Sequence, residues 1–439
     1  YDRKEIYFKP QGLTNAAKSK NDIDYNKNEF YNIANGYKAL YFNTTGFSNT
    51  ANGYTALDSN TTRISNTANG YAALYSNTTG FYNTANGFNA LYLNTTGSYN
   101  TANGINALYS NTTGSYNTAN GINALYLNTT GVSNTANGVY ALAANTTGDN
   151  NTANGGAALY SNTTGSYNTT NGYHSLHYNT TGSGNTANGQ QALYSNTTGY
   201  DNTANGYAAL YSNTTGYDNT ANGYAALYSN TTGFLNTALG YSAFSSGTAF
   251  QNSTALGYNA EPFASNTIRL GDFSVSTIGG YANWTNVSDG RFKTNVTENV
   301  SGLDFVMQLR PVTYNLDMDA IAKFNNTPDS LRLAESEALK AAELQSGFIA
   351  QEVEAAATAV GYDFHGVDKP KNETSHYGLR YAEFVVPMVK AMQEQQEMIE
   401  GQEATITELK ATAESQQAKI DKQKSDYLLL LKRIEALEK

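Results

Sequence analysis

Two short stretches of this sequence carry side chains equipped for chemistry. One is Ser288-Asp289-Gly290-Arg291-Phe292-Lys293. A serine hydroxyl is a weak nucleophile until a base takes its proton, and a lysine can be that base when burial lowers its pKa. Taken alone, the run reads more simply as a turn that Ser288 and Asp289 cap ahead of Arg291 and Lys293. The other stretch is His174-Ser175-Leu176-His177. On a strand, positions i and i+3 face opposite sides, so these imidazoles read as surface substitutions at tyrosine-like positions.

Other chemistries lack their parts. Glycan hydrolysis needs two carboxylates at a set separation. Residues 31–260 contain no Glu, and their only Asp residues are Asp58, Asp149, Asp201 and Asp218. No glycosidase site is expected there, and no metal or cofactor anywhere in the chain. The Asn-Thr-Thr triplets are formal glycosylation sequons. They read here as turn formers.

The elements that hold these residues follow from a repeat. Residues 202–218 (NTANGYAALYSNTTGYD) and 219–235 (NTANGYAALYSNTTGFL) are nearly identical. Glycines recur every seventeen residues from Gly36 to Gly257 without an insertion, which signals stacked coils. Recurring Gly and Thr and the lack of a 3.6 period argue against helix. Each unit reads as two short strands and two turns. Asn-Thr-Ala-Asn-Gly supplies one corner, Tyr-x-Ala-Leu-Tyr is about one strand long, and Asn-Thr-Thr-Gly makes the second turn. Parallel coils would then stack about 4.8 Å apart, and fourteen of them would extend roughly 65 Å.

Stacking places like above like. The Leu column from Leu40 to Leu227, ended by Phe244, is the expected buried spine, with small Ala residues (Ala39, Ala56, Ala73 and onward) beside it. The Asn before each Gly, Asn35 to Asn222, is expected to form an amide ladder. Tyr rows after Gly and after Leu should stack, and exposed they would also suit sugar binding. A coil this thin encloses little core, so several chains are expected to share one.

Composition agrees. The 439 residues allow two or more domains. Charged residues are only 14%, with 35 Tyr, 39 Gly and 6 Pro, which suits many tight turns. The net charge of −10 offers no basic stripe for nucleic acid. There is no Cys, which fits export without reliance on disulfides, and no apolar run long enough for a transmembrane segment. The chain begins at Tyr1 with no signal-peptide pattern there and reads as mature or trimmed.

NTALGYSAF (236–244) and NSTALGYNA (252–260) resemble the head repeats of YadA-type trimeric adhesins, which implies a left-handed parallel β-roll in a trimer. The NTANG copies match more loosely. Beyond residue 260 the repeat stops and Glu and Lys appear. Three blocks there, NTIRLGDFSVSTIGGYANWTNVSDGRFKTNV (266–296), GFIAQEVE (347–354) and LRYAEFVVPMVKAMQEQQ (379–396), together resemble the intramolecular chaperone of phage tailspikes and endosialidases, peptidase S74. Residues 318–346 look like a helical insertion. In that family a Ser–Lys pair within S-D-x-R-x-K cuts the chaperone from the finished fibre. The resemblance therefore implies Ser288 and Lys293 as the catalytic pair and a cut beside Ser288, between Ser288 and Asp289.

The tail carries heptads. Val385, Met392, Ile399, Ile406, Ala413, Ile420, Tyr427 and Ile434 occupy a, and Met388, Gln395, Gln402, Leu409, Gln416, Gln423, Leu430 and Leu437 occupy d. The pattern alone allows a dimer, and the threefold resemblance favours a trimer.

The expected fold is mainly β. A trimeric parallel β-solenoid shaft of 17-residue repeats (31–263) follows an N-terminal anchor or linker (1–30). A small α+β chaperone domain (264–384) and a trimeric coiled coil (385–439) complete the chain. The expected function is a homotrimeric extracellular fibre, of a virion tail or a bacterial surface, that binds a glycan or other receptor. Its only expected catalysis is one self-cut per chain. The alternative is a purely structural spacer with an uncleaved trimerisation domain.

Overall fold

The computed structural model describes residues 31–282, 284–373 and 375–437. The expected anchor or linker at 1–30 lies outside the described residues. The chain forms two compact units, one ending at Ile278 and the other starting at Gly279.

The first unit is a parallel β-solenoid. Fifteen three-residue strands, β1 (Ile33–Asn35) to β15 (Ile268–Leu270), pair in sequence order in one sheet. The register repeats at seventeen residues: Thr101 lies on Thr118, Ala102 on Ala119 and Asn103 on Asn120. The ladder continues past the recognisable repeat, where Ile268–Leu270 pairs with Thr254–Leu256.

Each coil contains one strand, not two, and its position corrects the sequence reading. The strand is Thr-Ala-Asn, and Tyr-x-Ala-Leu-Tyr is a turn. In the coil of Leu125, Asn123 and Leu125 have φ of 55° and 51°, the left-handed region. Ala124 and Leu125 are both fully buried. Consecutive strand residues face opposite sides, so a strand could bury only one of them. Left-handed backbone at non-glycine residues costs of order 1–3 kcal/mol each. Neighbouring coils hold it: the Leu125 N–H donates to the Ala141 carbonyl at 3.0 Å, and the Asn123 N–H to that of Ile122's column partner Ile105 at 2.9 Å.

The core is narrow and partly polar. The Leu spine from Leu40 to Leu227, with Phe244 at its end, is buried as expected, and so are its Ala neighbours. Two columns of fully buried Asn join them. Asn128 stands for the first: its Nδ2 donates to Asn111 Oδ1 (2.8 Å) and to the Gly131 carbonyl (3.0 Å). Asn117 stands for the second: its N–H donates to Asn100 Oδ1 (3.0 Å), and its Nδ2 to the Gly131 carbonyl (2.8 Å). Buried amides are affordable only when bonded in this way. The ladder expected of the Asn before Gly also forms, at the surface, with bonds of 2.7–2.9 Å between Asn52 and Asn205.

The second unit is α+β. Its core gathers Phe305, Val353, Ala356, Ala357, Phe364 and Phe384. Short helices at Met318–Phe324 and Ala334–Ala342 occupy the expected insertion. A single helix, Val385–Leu437, ends the chain. Among the described residues no helix is long and apolar enough to cross a membrane.

Candidate functional site

Ser288 and Lys293 are brought together. A 3-10 turn at Gly290–Phe292 folds the backbone back, with the Lys293 N–H donating to the Gly290 carbonyl at 3.2 Å. The Lys293 ammonium then donates to Ser288 Oγ at 2.9 Å. Asp289 caps this turn by accepting from the Arg291 N–H at 2.9 Å. Its carboxylate also pairs with the Arg291 guanidinium at 2.6 Å. That hydrogen bonding holds the Asp289 carboxyl below its ordinary value and raises the guanidinium. The capped turn and the Ser–Lys pair are therefore the same structure: the cap places the hydroxyl beside the amine.

Both side chains of the pair are exposed in the single chain. Tyr281, Trp284, Val287, Phe292 and Val296, close to the pair in sequence, are exposed as well, Tyr281 and Trp284 almost completely. A lysine base needs desolvation. The geometry supplies contact between the two groups but not a dry pocket.

The other two blocks meet each other. Phe348 and Val353 of the second block pack with Leu379 and Phe384 of the third. Ionic contacts tie each block to residues 368–369, Glu354 to Lys369 (2.6 Å) and Arg380 to Asp368 (2.9 Å). A contact that sequence reasoning missed fastens the base of the long helix: Glu394 accepts from the Leu303 N–H at 2.6 Å. It caps the helix Leu303–Val306, whose cap residue Gly302 has no side chain to do so. Only the lack of Ser, Thr, Asp or Asn at that cap could have signalled it.

The remaining candidates fall on the shaft. The Tyr columns stack, for example Tyr75 on Tyr92 and Tyr92 on Tyr109, each at 5.2 Å between ring centres. Ring faces are thereby covered by neighbouring rings. The Asn of the Asn-Thr-Thr sequons, such as Asn77 and Asn128, are fully buried, so the folded coil does not present them. His174 and His177 are not on opposite sides: their ring centres are 4.6 Å apart. Left-handed φ at His174 (56°) and Leu176 (52°) breaks the alternation a strand would impose. His177 does replace a tyrosine, stacking between Tyr160 (5.2 Å) and Tyr194 (5.5 Å). Burial and the neighbouring His177 push the His174 imidazole below its ordinary value.

No curated protein and no solved structure matches the chain significantly, so the likeness to YadA-type head repeats rests on the residues alone. A family model does match, over residues 288–379, and it is described as Peptidase_S74, chaperone of endosialidase. The match begins at the serine of the Ser–Lys pair, runs through the second block and ends at Leu379, the first residue of the third. Behind its β-solenoid of 17-residue coils, the chain thus carries a Peptidase_S74 chaperone-of-endosialidase domain at residues 288–379.

Proposed function

We propose that this protein is a homotrimeric extracellular fibre, of phage tail-fibre type, whose C-terminal domain assembles and registers the shaft and then cuts itself off. The observation that carries the reading is the unpartnered heptad stripe on Val385–Leu437, next to the chaperone domain. Met392, Ile399, Ile406 and Ile434 are 68%, 48%, 49% and 45% exposed, and Leu409 and Leu430 are also open. A helix of 53 residues, about 80 Å long at 1.5 Å per residue, gains most of its stability from packing such a stripe.

The shaft supplies the need for a chaperone. Coils nearly identical along their buried columns can pair one repeat out of step at little cost. A non-repetitive trimer at one end sets a single register, and the shaft zips from there. Ser288 is the nucleophile in this reading and Lys293 its base, made dry when the copies close over the exposed turn. The cut falls between Ser288 and Asp289 and makes assembly irreversible. The mature shaft then binds a cell-surface receptor, glycan or other, on a host or a bacterial surface.

The second reading, an uncleaved spacer, draws on the exposure of the Ser–Lys pair. Intact and native mass of the chain and of Ser288→Ala separates the two. Self-cutting predicts a split near residue 288 in the parent and none in the variant. A parent that stays whole as a trimer leaves a permanent clamp and removes the cleavage step. A monomer in both overturns the fibre reading itself.

A further inference from the structure

The histidine pair at 174 and 177 is built differently from the rest of the shaft. Two imidazoles that share one ion at about 2 Å per nitrogen have ring centres no more than roughly 6 Å apart. Here the separation is 4.6 Å with the planes inclined by 35°. Both rings are half-buried, so solvent and ions reach them.

Their orientation is fixed by neighbours. His177 is held in the aromatic column between Tyr160 and Tyr194. Its Nδ1 lies 3.1 Å from the Ala157 carbonyl oxygen, which can only accept. Nδ1 therefore carries the proton and Nε2 keeps its lone pair. Imidazole ligands commonly show this arrangement, with the outer nitrogen donating to a carbonyl. His174 is stacked on Tyr173 at 3.9 Å, which fixes the second ring.

We propose that His174 and His177 bind one divalent transition-metal ion per chain, of the imidazole-preferring class that includes Zn2+, Ni2+ and Cu2+. Residues 150–200 contain no Asp, Glu, Lys or Arg. No carboxylate is present to recruit Ca2+ or Mg2+, and no fixed cation repels an ion. Two nitrogens are the whole protein contribution, water completes the shell, and the affinity is modest. Such an ion would clasp the outer turn of a coil in which Thr170 and Ser175 are buried in place of the usual Ala. The Thr170 hydroxyl there has no partner.

The test is calorimetric titration of Zn2+ into the full chain. One ion per chain is expected, with Kd of about 1–100 μM, or roughly −5 to −8 kcal/mol. His174→Ala and His177→Tyr should each weaken binding by at least about tenfold. Both variants use residues that the same columns already hold, Ala208 and Ala225 in one and Tyr194 and Tyr211 in the other, so the coil folds. The double variant His365→Ala/His376→Ala, in the other unit, should bind as the parent does. Unchanged affinity in either His174→Ala or His177→Tyr overturns the proposal, as does a parent that binds nothing below about 1 mM.

Discussion

Asn128→Asp tests whether buried amides hold the solenoid together. Asn128 is fully buried, donates to Asn111 Oδ1 and the Gly131 carbonyl, and accepts from Asn145 Nδ2 at 2.8 Å. Aspartate keeps the acceptor and loses both donors. An ionised carboxylate there would face two oxygens, so the folded coil requires the protonated acid. Holding an Asp of ordinary pKa near 3.9 protonated at pH 7 costs about 4 kcal/mol, from some 3 units at 1.36 kcal/mol each. The acid's single O–H restores one of the two lost bonds, and the other costs about 1 kcal/mol more. The sign is clear: the folded pKa lies above the unfolded one, so stability is greatest at acid pH and falls as pH rises through the folded pKa. Hydrogen exchange by mass spectrometry over residues 110–150 reads local opening directly. The variant-to-parent exchange ratio should be about a thousandfold or more at pH 7 and nearer tenfold at pH 4. A ratio near one at pH 7, or one that does not shrink on acidification, refutes the claim that this column is dry and bonded.

Two further outcomes follow from the same geometry. Gly104 has φ of 144°, and a Cβ there would lie 2.7 Å from the Gly121 carbonyl carbon and closer still to its oxygen. Gly104→Ala should therefore destabilise the shaft by about 2 kcal/mol or more, whereas Gly290→Ala, whose Cβ meets nothing, should fall within about 0.5 kcal/mol by urea denaturation. Glu261 stands next after Phe244 in the spine column and accepts from the Ser245 N–H (2.9 Å) and the Ser246 hydroxyl (2.6 Å). Burial raises its carboxyl above the ordinary 4.5, against the pull of those hydrogen bonds. Its contribution is thus full below the ordinary value and lost as pH rises through the folded one. Exchange over residues 241–270 should quicken across that range in the parent, relative to its intrinsic rate, and Glu261→Gln should flatten the trend.

Much of the shaft was legible because a strict period converts sequence columns into spatial columns. Leu57 over Leu74, Tyr92 over Tyr109 and Asn69 over Asn86 follow from counting alone. The path of the chain within one coil was not legible. Thr-Ala-Asn and Tyr-x-Ala-Leu-Tyr have similar claims to be the strand by composition, and only left-handed φ at residues such as Leu125 decides between them. The same local geometry hid the histidine pair, because alternation was assumed where none exists. It also hid the buried Asn columns, since Asn in a repeat reads first as a turn former. At the other end, the Ser288–Lys293 contact was anticipated through family resemblance, and the capped turn that makes it was anticipated as a plainer rival. In the structure the two are one feature.

The sequence by itself determined that identical units stack at one register, which columns are apolar, and where the repeat gives way to a chaperone-like domain with a heptad tail. These are properties of spacing, and spacing survives in one dimension. Only the tertiary structure decided which polar columns go inside and which backbone turns carry them. A buried Asn is tolerated only where the coils above and below supply its partners, and those partners lie seventeen residues away along the chain.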